Sequence, residues 1–288
     1  MPNFYLNFHI VTLNKKLRKE DLFVLSNVDK KDVFDALKKA FKTNQSILIN
    51  DKGKLTSYQV DEEQRLIYGY IEAGEQGFTS NFLNLDSKKL VYTRKKRDLE
   101  LIPFFFLVSV PKDSKYCFIV VQTLGLSSPY DVVSNIIRQG LKGFDATCRF
   151  KAVCENDKLI AQTLKDNGQI LKIEAFKAKE PHDKAGDYVS KIYVRQVFSG
   201  FSQGFMSKLV ANSSKNSLTN LLAIDEVDNY KLHIKDSKGK VRCLSISSYQ
   251  ATNYDISDIS LDSKGHPELK EILRTSKDYL EGIIRLFQ

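Results

Sequence analysis

The sequence predicts an α+β fold: a mixed, largely antiparallel sheet with flanking helices, in two domains or subdomains. Three observations carry that expectation. First, the middle of the chain holds two continuous apolar runs, Leu101–Val110 and Tyr116–Thr123, on either side of the turn Pro111-Lys-Asp-Ser-Lys. Runs of this length, apolar at nearly every position, read as central strands buried on both faces. Second, strand-like alternation recurs elsewhere, beginning with Phe4, Leu6, Phe8 and Ile10. Third, three segments instead repeat their apolar residues at helical spacing. A length of 288 residues is comfortable for two domains, and we place the boundary near residue 155.

In chain order, the first strand is followed by a helix over Lys30–Lys42, capped by Asp29, with Val33, Phe34, Leu37 and Phe41 on one side. Ile47–Asn50 and Leu55–Val60 form a hairpin around Asp51-Lys-Gly-Lys, and Arg65–Ala73 continues the meander until Gly74 and Gly77 break it. Leu90–Thr93 is a short strand. After the two central strands, Ser128-Pro-Tyr-Asp opens a helix through Leu141, whose buried stripe is Val132, Val133, Ile136, Ile137 and Leu141. Ala146–Cys154 is a strand. The second portion, 156–288, starts with a short helix at Leu159–Leu164. Strands at Ile170–Lys177 and Val189–Phe198 follow, joined by a polar loop. Ser199–Ser217 reads as a linker. Tyr230–Ile234 and Val241–Ile246 form a second hairpin. The chain ends in an amphipathic helix over Pro267–Phe287, capped by Asp262 or Ser263. Its apolar stripe packs on its own sheet or, alternatively, forms a homodimer contact.

The composition narrows the function classes. No stretch reaches the roughly 18 apolar residues that a membrane-spanning helix needs, and the N-terminus reads as a strand rather than a signal peptide. Cys117, Cys148, Cys154 and Cys243 form no C-x-x-C pair, so reduced thiols in a cytoplasmic protein are expected. His9, His182, His233 and His266 are scattered, and neither a metal nor a cofactor is expected. The net charge is +9, with 23 basic against 17 acidic residues in positions 1–150, so the excess is concentrated there. Such a balance suits a polyanionic partner, DNA or RNA.

One run concentrates that charge: Lys88, Lys89, Arg94, Lys95, Lys96 and Arg97, with Tyr92 among them. Cations neutralise phosphates and an aromatic ring can stack on a base. The same pattern also suits a solvated edge strand protected by charge. Lys38, Lys39 and Lys42 would extend the patch if the fold brought them near. Gly69, Gly74 and Gly77 match no phosphate-loop pattern and read as a tight turn. Glu174 and Lys177 invite comparison with a metal-dependent nuclease strand, but three-residue spacing sends them to opposite faces. Gln122 needs a partner at the end of its apolar strand, and His182 lies in a polar loop with no nucleophile assigned to it.

The order Tyr68-Gly-x-Ile-x-x-Gly-x-x-Gly77, then Pro103-Phe-Phe-Phe-Leu107, then a strand ending in Gln122 with Gly125 after it, resembles uncharacterised bacterial proteins encoded in phage-defence loci. The resemblance covers about residues 65–175. It implies an intracellular antiviral role and carries no catalytic residues with it. The expectation is therefore a cytoplasmic nucleic-acid-binding component of such a system. The alternatives are a metal-dependent nuclease, or a subunit that senses a phage protein and works with a partner encoded nearby.

Overall fold

The computed structural model describes residues 4–16, 18–125, 127–153, 169–179, 192–202, 204–205, 208, 220–223, 227, 229–235, 239, 241–247 and 253–287. It is an α+β protein, and each strand pair with a defined register is antiparallel. The chain divides into two compact units. One comprises Met1–Lys151 and Ser257–Leu280, the other Ala152–Ile256 and Glu281–Gln288.

In the first unit, β1 (Phe4–Lys15) lies beside β9 (Cys117–Leu124), followed by β8 (Ile102–Ser109), β5 (Leu66–Ala73), β4 (Gly53–Asp61) and β3 (Leu48–Ile49). β2 (Arg18–Leu22) and β10 (Thr147–Ala152) both pair with β1. The two central runs thus become β8 and β9, in register from Phe106↔Val121 to Ser109↔Phe118. One sheet face carries Val11, Ile67, Ile71, Phe104, Phe106, Val108, Ile119 and Val121. These pack against α1 (Val33–Thr43) and α2 (Tyr130–Leu141). Phe41 of α1 stacks on Phe106 at 5.3 Å between ring centroids. On the opposite face Phe105, Leu107, Phe118 and Val120 are also buried. The expected burial of this block on both faces is found.

Three details differ from the expectation. The first helix starts at Val33 because Asp32, not Asp29, caps it: its carboxylate accepts from Phe34 N at 2.8 Å. Both Asp32 oxygens also accept from the Arg65 guanidinium, at 2.7 and 2.9 Å, which ties this cap to β5. Asp262 does not cap the last helix, here α3 (Leu269–Phe287). Its side chain instead accepts from Lys264 N and His266 N and closes the preceding turn. A strand absent from the sequence reading, β6 (Ser80–Leu83), pairs with β7 (Leu90–Arg94) as a separate two-stranded ribbon.

Before α3, Pro267 O accepts from the Tyr70 hydroxyl at 3.1 Å, and Lys277 donates to Gln64 Oε1 at 2.7 Å. Of the helix stripe, Ile272, Ser276, Leu280 and Ile283 are buried, and Leu269, Leu273, Ile284 and Phe287 are half-buried. No described helix is long and apolar enough to cross a membrane.

The second unit is a sheet in the order β12 (Ile192–Ser199), β11 (Gln169–Lys179), β13 (Asn229–Lys235), β14 (Val241–Ser247), β15 (Asn253–Asp255). The hairpin read from sequence is β13–β14. The expected helix at Leu159–Leu164, the loop holding His182, Cys154 and most of the Ser199–Ser217 linker lie outside the described residues.

Candidate nucleic-acid interface and neighbouring sites

The basic run falls on the β6–β7 ribbon and its exit. Lys88 and Lys89 are in the connecting turn, Tyr92 and Arg94 in β7, and Lys95, Lys96 and Arg97 just after it. The turn closes with Asn84 N donating to Lys89 O at 3.0 Å and Asn84 Oδ1 accepting from Ser87 N at 2.7 Å. Residues Leu90–Thr93 are exposed along with the opposing strand. The ribbon therefore presents large apolar groups to solvent: Phe78, Phe82, Leu83, Leu85, Leu90, Val91 and Tyr92, with Leu85 at 85% exposure. Phe82 and Tyr92 face each other across the strands, with ring centroids 6.0 Å apart. Beyond them lie five exposed cations, Lys88, Lys89, Lys95, Lys96 and Arg97, none in an ion pair among the described residues.

Arg94 departs from its neighbours. It is 3% exposed and anchors the base of the ribbon. Its guanidinium bonds Glu100 Oε2 at 2.8 Å and Glu75 O at 2.6 Å, and lies 4.0 Å from the Phe78 ring centroid. These contacts commit it to holding the ribbon, so it is not placed to touch a ligand. Tyr92 donates its hydroxyl to Asp98, and that hydrogen bond raises the phenol's pKa. Its ring remains exposed. Lys38 pairs with Asp35 and Glu62 at 2.8 and 2.9 Å, and so is committed elsewhere.

The glycines beside the ribbon serve packing and turn geometry, as expected. A Cβ on Gly74 would lie 1.6 Å from Glu100 O, so only glycine allows that approach. Gly77 turns with φ +104°.

A second site lies where β1, the end of β5, the β3–β4 turn and the start of α2 meet. A cleft of about 350 Å³ is lined there by Asn7, His9, Lys52, Gly74, Glu75, Ser127, Ser128, Tyr130 and Asp131, among others. Lys52 pairs with Asp131. His9 stacks on Tyr130 with centroids 4.0 Å apart, and burial lowers its pKa to about 4, leaving the ring neutral at pH 7. Asn7 Oδ1 is buried and has no hydrogen-bond partner among the described residues. The sequence reading missed this cleft. The one local signal was the polar pair Asn7 and His9 on the half-buried face of β1.

In the second unit, Glu174 is buried and accepts from Lys172 and Arg195, each at 2.7 Å, with His233 Nε2 at 3.3 Å. Burial alone would raise its pKa, but the Lys172 and Arg195 hydrogen bonds outweigh it and hold the carboxylate ionised. Lys177 is three residues along the same strand, on the other face as expected. A carboxylate saturated by cations is a poor metal ligand. No group of three His, Cys, Asp or Glu residues suited to a metal occurs among the described residues.

The remaining polar residues are accounted for locally. Gln122 Oε1 accepts from Phe105 N at 2.9 Å, just beyond the end of the β8–β9 ladder. Arg138 lies over Phe150, and Gln139 donates to Asn135. Cys117 is a buried free thiol, and burial pushes the Cys148 thiol up to about 11, which disfavours the thiolate. No family model, curated protein or solved structure matches the chain.

Proposed function

We propose that this chain is a nucleic-acid-binding protein and that the β6–β7 ribbon is its contact. One observation carries the reading: the ribbon exposes Phe82 (42%) and Tyr92 (52%) between two groups of cations that form no ion pair among the described residues. Phosphates are drawn by charge, and bases stack on aromatic faces. The bland alternative, an edge protected by lysines, accounts for the charge but not for the exposed apolar side chains. The resemblance of residues 65–175 to proteins of phage-defence loci supports placing this binding in a bacterial antiviral system, in the cytoplasm. Cation saturation at Glu174 speaks against the nuclease alternative.

Fluorescence anisotropy with labelled DNA and RNA oligonucleotides, single-stranded and duplex, tests the proposal. Binding at low salt that weakens steadily as salt rises is expected. Failure of every oligonucleotide to bind at low salt overturns it. Recovery of a stoichiometric protein partner that needs Leu85 and Val91, without nucleic acid, would favour the protein-sensing reading.

A further inference from the structure

We infer that the cleft at the start of α2 binds an uncharged amino-bearing heteroaromatic group of nucleoside size, held by Asn7 and His9. This goes beyond the ribbon reading and does not depend on it. A volume of about 350 Å³ lies at the small end of ligand pockets, enough for a base and its sugar. Its recognition groups are neutral: the Asn7 carboxamide, the His9 imidazole and the Ser127 and Ser128 hydroxyls.

Asn7 supplies the sharpest indication. Its Oδ1 is buried and accepts no hydrogen bond among the described residues, a state that is unfavourable unless a donor arrives. A carboxamide pairs with the donor–acceptor edge of an amino-bearing base. His9 adds a ring nitrogen to the same wall and makes no side-chain hydrogen bond among the described residues. Its stacking on Tyr130 fixes the ring plane. The charged groups argue against a phosphate. Lys52 is already paired with Asp131, and Glu75 adds a second carboxylate, so anions outnumber cations in the lining. A nucleoside, or an unpaired base of a strand, fits this chemistry better than a free nucleotide.

The test is titration of the full chain with adenosine, cytidine, uridine and AMP, followed by calorimetry and saturation-transfer NMR. Adenosine or cytidine should bind better than uridine, and AMP more weakly than adenosine. Asn7→Leu should weaken binding by about tenfold or more, as loss of a buried hydrogen bond implies. Ser127→Tyr, which narrows the rim without entering the core, should weaken it as well and covers the case in which Asn7→Leu fails to fold. A second arm uses a single-stranded adenine oligonucleotide. If free nucleosides bind, the ligand is soluble. If only the strand binds, and either variant weakens it with its salt dependence unchanged, the ligand is a base of that strand. Replacing Lys95, Lys96 and Arg97 by Ala should leave nucleoside binding intact, which separates this inference from the ribbon. No binding in either arm, tighter binding of AMP than adenosine, or full binding by both variants overturns it.

Discussion

Two antiparallel strand pairs stand close together in the chain and meet opposite fates. β8 and β9 are buried on both faces, with Phe104, Phe105, Phe106 and Leu107 all inaccessible. β6 and β7 carry Phe82, Leu83, Leu90, Val91 and Tyr92 and leave them all exposed. Apolar content alone therefore does not decide burial here. Position does: β8 and β9 lie inside a sheet flanked by strands on each side, whereas the ribbon pairs only with itself. An exposed apolar ribbon gains little stability from folding, so its composition calls for a reason outside the fold.

The largest expected effect lies in the core pair. Phe106→Ala removes the ring stacked on Phe41 and should cost about 3–5 kcal/mol, read by urea denaturation. Phe82→Ala in the ribbon should change stability by no more than about 0.5 kcal/mol. Equal losses would erase the contrast between the pairs.

Acid should separate them too. The His9 pKa is lowered from 6.5 to about 4, so between those values the unfolded chain binds a proton that the folded chain refuses. Stability attributable to His9 is then lost as pH falls through that window, by about 3 kcal/mol when complete. Asp32 acts in the same direction at lower pH. Burial would raise its pKa, but hydrogen bonds from Arg65 and Phe34 N lower it. The stability it contributes is present above the ordinary aspartate range and lost as pH falls through its folded pKa. His9→Gln should flatten the fall between pH 6.5 and 4, measured by urea midpoints at several pH values.

Arg94→Ala should act locally. The ribbon loses its anchor to Glu100 and Glu75, so protease cleavage within residues 78–93 should rise sharply while global stability falls by only about 1–2 kcal/mol. Cleavage unchanged from wild type would show that the ribbon is held by other contacts.

Much of the architecture was legible because apolar periodicity is local. β1, β8, β9, α2 and the β13–β14 hairpin follow directly from residue spacing. What escaped depended on distant partners. Asp29 and Asp32 are equally good caps in sequence, and Asp32 also meets Arg65, 33 positions away. β6 has no clean alternation and is defined by pairing with β7. The cleft draws Asn7, Lys52 and Tyr130 from three separate segments, so no motif could announce it. In the basic run, a list of charges could not separate Arg94 from Lys95–Arg97, since only burial distinguishes them.

The smallest expected change in stability, and the most direct test, comes from replacing Lys95, Lys96 and Arg97 together by Ala. Folding stability should stay within about 0.5 kcal/mol of wild type. If the ribbon contacts phosphates, affinity for an oligonucleotide should fall, and the slope of log affinity against log salt should shrink by about 2–3. An unchanged affinity and slope in a folded triple variant would contradict the ribbon as the nucleic-acid contact.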